Sequence, residues 1–417
     1  MNNLISFAGI IGLVLFAWLI STNRRVVNWR VVVWGLILPL VFAVFVFLVP
    51  AGQKAFILVN AGVVKMLSFA GEGMRFVFGR LAVSEGPDSL GFILAFHALP
   101  TIIFFSALMS LLYYLGVMSL LVKGFAWLFS RLMRVSGAEA LYVSSNIFVG
   151  VESAFTVRPY LLRMTNSELC TILTMGMGSV ASSVLAFYTV ILKAQFPMIA
   201  GHLVAASILA APIALLVSKL IFPETGQPET LGQLVAEKYQ KPANWIESII
   251  IGANEGVKLC VGIVALLLAF LGLLAMVNWI MGAALGVSLQ QILGYIFYPF
   301  TLLMGVSWND IPLVAQLLGE RAVVTEAVAY PHLADYVAKG MLEPRSLVIT
   351  TYALCGFAHI ASLAIFVGGT AALVPERARD LAKVGFRALI AATLTTLILG
   401  AIAGLFFTNT QTILLTK

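Results

Sequence analysis

The chain has 417 residues, a formal net charge of +7 and a pI near 9.3; 61% of its residues are hydrophobic, 10% are charged, and the mean hydropathy is +1.03. A soluble domain carries about 45–50% apolar and about 25% charged residues, so there are too few charges here to clothe a water-soluble core of this size. The basic residues sit in short loops between apolar runs, which argues against nucleic acid as a partner and for a lipid bilayer.

In chain order, apolar runs at 3–21 and 31–50 are each long enough to cross a core of ~30 Å. The first has no basic lead-in and no small-residue cleavage signal, so it reads as a span rather than a signal peptide. Between them, Asn23-Arg24-Arg25 and Arg30 mark an inside loop and put the N-terminus outside. Residues 51–90 mix Lys54, Lys65, Glu72, Arg75 and Arg80 with apolar positions, predicting one or two interfacial helices before a turn at Gly86-Pro87-Asp88. A span at 91–122 follows, then Arg131 and Arg134 on the inside.

The stretch SSNIFVGVESAF within 141–163 is apolar enough for the membrane, yet holds Asn146, Gly150, Glu152 and Ser153. An uninterrupted helix does not fit; a re-entrant hairpin with its tip near Gly150 does, because broken backbone at depth must line a cavity or be buried in protein. Thr165-Asn166-Ser167-Glu168 has capping-box spacing and starts a new helix. Spans at about 168–193 and 198–222 lead into a Pro- and Gly-punctuated loop at 223–244, and another span covers 257–282.

Residues 298–338 repeat the oddity, with Pro299, Trp308, Asn309, Asp310, Pro312 and Glu326 among apolar residues, and predict a second hairpin. Spans at 347–374 and 385–408 close the chain around the basic loop PERARDLAKVGFR. By charge the loops 22–30, 131–139 and 376–387 lie inside. Gly178-Ser-Val-Ala-Ser-Ser-Val-Leu-Ala-Phe187 loosely matches Gly356-Phe-Ala-His-Ile-Ala-Ser-Leu-Ala-Ile-Phe366, and an odd number of crossings separates the two units. Paired hairpins at corresponding places are the sequence mark of an inverted-repeat transporter. The expected fold is all-α integral membrane, with about eight transmembrane helices, two re-entrant hairpins and an interfacial helix. The expected units are scaffold spans in 1–140, a first repeat in 141–222, a loop and scaffold span in 223–297, and a second repeat in 298–408.

A charge at bilayer depth costs about 2.5–3.5 kcal/mol or more. Glu152 and Glu326 therefore either face a polar central site or are held in ion pairs, with Arg158 or Lys193 as candidate partners. Asn146 and Ser179, with freed carbonyls near Val149 and Val180, offer the neutral oxygens that a small hard cation such as Na⁺ prefers; inter-helix hydrogen bonding is the alternative. His97, His202, His332 and His359 lack helical zinc spacing, and only His359 sits mid-span. Cys170, Cys260 and Cys355 form no disulfide framework. P-loop, GxSxG and HExxH motifs are absent, which speaks against an enzyme.

At its hairpins the chain resembles the concentrative nucleoside transporters. The resemblance rests on LPTIIFFSALMSLLYYLGVM at 99–118, SSNIFVG at 144–150, RPYLLRMTNSEL at 158–169, GVSWND at 305–310, EAVAY at 326–330 and CGFAHIASLAI at 355–365. It implies eight spans, a homotrimer and a mobile transport domain in each protomer. By position it implies a sodium site at Asn146, Val149, Ser179 and Val180, and substrate contacts at Val151, Glu152, Ser153, Val184, Glu326, Phe357, His359 and Ser362. The family's first hairpin carries Gly-Gln-Thr/Ser-Glu against the nucleobase; here Gly150-Val151-Glu152-Ser153 lacks the glutamine and exchanges the order of acid and hydroxyl. His359 stands where the family has asparagine, while Glu326 keeps the acid that holds ribose hydroxyls.

The expectation is a symporter of nucleosides or a nucleoside-like polar solute in a bacterial-type inner membrane, coupled to Na⁺. The alternatives are another polar metabolite on the same scaffold, H⁺ coupling through Glu152 and His359, or a membrane enzyme or lipid-handling protein.

Overall fold

The computed structural model describes residues 2–83, 89–150, 152–235 and 241–408. In chain order the helices are α1 (Asn2–Leu19), α2 (Trp29–Leu48), α3 (Pro50–Phe78), α4 (Leu94–His97), α5 (Leu99–Tyr114), α6 (Val117–Met133), α7 (Gly137–Asn146), α8 (Ser153–Thr156) and α9 (Arg158–Leu161). They continue with α10 (Asn166–Gly178), α11 (Ser182–Leu192), α12 (Ile199–Ile221), α13 (Trp245–Leu285), α14 (Leu289–Leu303), α15 (Ile311–Val323), α16 (Glu326–Ala338), α17 (Pro344–Leu354), α18 (Ile360–Leu373) and α19 (Ala378–Phe406). No strand is formed among the described residues, as expected where every backbone polar group must be satisfied within lipid. Among the described residues, eight helical segments are long and apolar enough to cross a membrane.

Loop contacts sort the chain ends into two faces. On one face the Thr22 amide donates to the Ile221 carbonyl (2.9 Å), Arg30 Nε to Leu132 O (2.7 Å), the Gly137 amide to Thr230 O (2.9 Å) and Arg377 Nη1 to Met164 O (2.6 Å). The 22–30, 131–139 and 376–387 loops thus share a face, as their charge predicts, and the positive-inside rule makes it the cytoplasmic one. On the opposite face Asn3 Nδ2 donates to Leu405 O (3.0 Å), Arg345 Nη1 to Asn3 Oδ1 (2.7 Å) and Arg345 Nε to Gly305 O (2.7 Å).

The hairpins enter from opposite faces. α7 leaves the inner face behind a capping box formed by Ser136 and Glu139, and α9 returns the chain there. α15 and α16 start and end at the outer face, where Ser307 Oγ donates to Glu343 Oε2 (2.6 Å) and the Glu343 amide to Asp310 Oδ2 (2.9 Å). This is the inversion anticipated from the sequence. The second hairpin's first arm begins at Ile311; Pro299 lies inside the preceding helix α14, where its missing N–H is tolerated. α13 starts at Trp245, well before the apolar core of its 41 residues.

Each span that follows a hairpin is broken in two, α10/α11 at Ser179–Ala181 and α17/α18 at Cys355–His359. α3 is one 29-residue helix, with Gly52, Phe56, Asn60, Leu67 and Ala70 buried. Asn60, near its middle, accepts from the Gly201 amide (3.0 Å) and donates to Pro197 O (3.3 Å), so α3 passes the first turn of α12 at the outer face.

Candidate functional site

The two breaks pack against each other and against α12 and α19, and a hairpin adjoins each break. Gly356 has φ +149°, and a Cβ there would lie 3.0 Å from both the carbonyl carbon and oxygen of Gly178, so the breaks pack back to back with no room for a side chain.

In the first repeat Asn146 ends α7 and Ser179 caps α10; both are buried. Ser179 Oγ donates to Asn146 Oδ1 (2.6 Å), and Asn146 Nδ2 donates to Gly150 O (2.9 Å) and Ser153 Oγ (3.3 Å). Ser153 Oγ donates in turn to Val149 O (3.2 Å), and Ser207 on α12 donates to Val180 O (3.3 Å). The Ser182 amide donates to Phe148 O (3.1 Å), tying the tip to the break. Asn146, Val149, Ser179 and Val180 are therefore brought together around neutral oxygens. Ser153 turns back into that cluster. Glu152 makes no ion pair among the described residues, and its Oε2 lies 3.3 Å from where a Cβ on Gly150 would sit. Val151 lies outside the described residues.

In the second repeat Glu326 opens α16, 2% exposed. Its Oε1 accepts from the Tyr188 hydroxyl (2.6 Å), and its Oε2 lies 3.3 Å from His359 Nε2. His359 caps α18: its Nδ1 accepts from the Ser362 amide (3.1 Å). An acceptor role at Nδ1 leaves the neutral ring's proton on Nε2, the nitrogen that faces the carboxylate. Ser362 Oγ is turned inward onto the carbonyls of Phe357 and His359 (2.6 Å to the latter), so it serves the break. The Phe357 ring stands edge-on to His359 with centroids 6.3 Å apart. Val184 is buried one turn into α11, a turn before Tyr188. Neither Arg158 nor Lys193 forms an ion pair with Glu152 or Glu326 among the described residues.

The sequence reading passed over two side chains here. Tyr188 was read as part of an apolar span; its ring stacks on Tyr330 (4.3 Å), one turn along α16 from Glu326, and its hydroxyl reaches the carboxylate. Arg321 was not singled out at all; it is fully buried on the second hairpin. The available signal was the charged pair Glu320-Arg321 set inside an apolar run, with Arg321 five positions before Glu326.

Residues 8–81 match the family description "Na+ dependent nucleoside transporter N-terminus", residues 95–195 "Nucleoside recognition" and residues 202–404 "Na+ dependent nucleoside transporter C-terminus". Sodium/nucleoside cotransporter 1 of Rattus norvegicus is 38% identical over 97% of this chain, which spans 64% of that longer protein. The chain belongs to the Na⁺ dependent nucleoside transporter family. An uncharacterized transporter of Haemophilus influenzae is likewise 38% identical, with 97% of this chain and 98% of that one covered. Among solved members, CNTnw in an inward-facing substrate-bound state superposes with a TM-score of 0.89 at 36% identity, covering 97% of this chain and 99% of that one. A CNTnw variant in an outward-facing state gives 0.89 at 35% identity over 97% and 99%. Membership of this family makes the chain a multi-pass membrane transporter and not an enzyme.

Proposed function

We propose that the chain is a sodium-coupled symporter that carries a nucleoside or nucleoside-like polar solute through the bilayer by alternating access. The observation that carries this reading is the pairing, across one back-to-back contact, of a neutral oxygen cluster in the first repeat with an acid–aromatic cluster in the second. Asn146 and Ser179, with the carbonyls of Val149 and Val180, supply oxygens at a broken helix, where small cations bind. Glu326 offers a carboxylate that accepts from neighbouring hydroxyls of a sugar-like group, taking over from Tyr188 and facing the His359 N–H. Glu152 and Val151 are the residues that set the other end of the solute apart from an ordinary base contact. CNTnw structures in inward- and outward-facing states support the alternating-access cycle.

The repeats, 141–222 and 298–408, act as the moving part, and 1–140 with 223–297 as scaffold. The long helix α13 keeps an exposed apolar face, including Val261, Leu268 and Leu273, which suits lipid and neighbouring protomers of a homotrimer. The membrane is a bacterial-type inner membrane, in keeping with the Haemophilus relative.

The test is uptake of labelled uridine and of unrelated ribosides and amino sugars into proteoliposomes under separate Na⁺ and H⁺ gradients. Uptake driven by Na⁺ is expected. Uptake that follows H⁺ and ignores Na⁺ transfers the coupling role to Glu152 and His359, and no uptake of any nucleoside-like solute overturns the substrate class.

A further inference from the structure

Arg321 is the largest side chain buried to under 2% exposure. A buried guanidinium costs several kcal/mol unless something compensates its charge, yet no carboxylate stands within ion-pair distance of it among the described residues. The nearest acid in sequence, Glu320, pairs instead with His332 (2.7 Å), and Glu326 is engaged by Tyr188 and faces His359. Arg321 Nη1 donates to the Ala353 carbonyl (2.9 Å) and to Thr396 Oγ1 (2.8 Å). Its Nε and Nη2 have no hydrogen-bond partner among the described residues. The site therefore makes little use of the guanidinium as a donor fork. What it uses is a positive charge at the C-terminal end of α17, where unsatisfied carbonyls carry the negative end of the helix dipole.

The first repeat has the same geometry with a different occupant. There the end of the first hairpin arm supplies Asn146, which meets Ser179 at the C-terminal end of α10, and the next full helix supplies Ser207 to the break. In the second repeat the end of the first arm supplies Arg321, which meets Ala353 at the C-terminal end of α17, and the next full helix supplies Thr396. The neutral set calls for a mobile cation and the charged set does not.

We propose that Arg321 is a tethered cation, standing in the second repeat where the first repeat takes a sodium ion, so that each chain binds one Na⁺ per cycle. The proposal rests on the sodium reading of the first repeat, and the experiment separates the two.

Binding of radiolabelled Na⁺ to the purified full chain in detergent is measured for wild type, Asn146→Ala, Arg321→Gln and Arg321→Lys, with thermal stability followed in NaCl and in choline chloride. The expected stoichiometry is one ion per chain for wild type and Arg321→Lys, none for Asn146→Ala and two for Arg321→Gln. The Gln variant should gain more stability from Na⁺ than wild type does. If wild type binds no Na⁺, the sodium reading of the first repeat fails. If wild type binds one ion and a folded Arg321→Gln also binds one, with an unchanged Na⁺ dependence of stability, the tethered cation is refuted. Should Arg321→Gln not fold, Arg321→Lys decides: a lysine variant that folds and binds one ion upholds the role of the charge, and one that is equally unfolded overturns it.

Discussion

The two halves of the centre are built to one plan and filled differently. In the first repeat the broken backbone is closed by Asn146, Ser179, Ser153 and Ser207, all neutral and all bonded to one another or to carbonyls. In the second, Arg321, Glu326 and His359 bring formal or titratable charge to the corresponding depth. The difference teaches how symmetry is put to use. A neutral oxygen cluster is an open position for an ion that comes and goes, whereas fixed charges hold one geometry and wait for a polar solute.

The sharpest way to break this contrast is at Glu326. Glu326→Gln leaves the solute's hydroxyls with a weaker acceptor and should cost about 2–3 kcal/mol, near a hundredfold in substrate affinity, while Na⁺ binding persists. Full uptake of every ligand by that variant would remove the carboxylate from substrate binding. Next in size is Asn146→Ala, expected to weaken substrate affinity in Na⁺ by about tenfold while affinity in choline stays put, because two ligands that share a coupling free energy lose it together. A substrate affinity that falls equally in both salts would make Asn146 a purely structural residue.

The joint between the repeats can be tested apart from either ligand set. Gly356→Ala forces a side chain into an unfavourable backbone region and against Gly178, and should lower stability by about 1–3 kcal/mol in a thermal melt; an unchanged melting temperature would mean that the breaks are not packed as described. The smallest effect is expected at Glu152. Glu152→Gln should change the preference between amine-bearing and neutral solutes by about a few-fold, and Val151→Gln should improve uridine binding on a similar scale. If wild type already binds uridine as tightly as Val151→Gln, the altered tip does not set selectivity.

Much of this arrangement was legible in the sequence because lipid imposes rules that water does not. An Asn, a Glu and a Gly inside SSNIFVGVESAF cannot sit in a continuous span, so the hairpin was visible, and so was its repeat. Basic loops gave the common face that Arg30 and Arg377 now hold together. The centre itself was less legible. Tyr188 lies in a run that reads as uniformly apolar, and only the fold brings its hydroxyl to a carboxylate 138 residues away. Ser362 was read as a ligand from its position, while its hydroxyl is bent onto local carbonyls and Ser153 is spent inside the first hairpin. Short polar side chains bond whatever backbone is nearest, and periodicity does not report that choice.

The contact of Gly178 with Gly356 has a mechanical consequence. Two half-helices that touch through bare backbone cannot slide or rotate past one another without opening a void that nothing nearby fills. The repeats are thereby keyed together like the halves of a coupling. A displacement that begins at the oxygen cluster of the first repeat is handed to the acid cluster at once, with no slack between them, so a rearrangement that exposes this centre to the other side of the membrane has to carry both clusters as one piece.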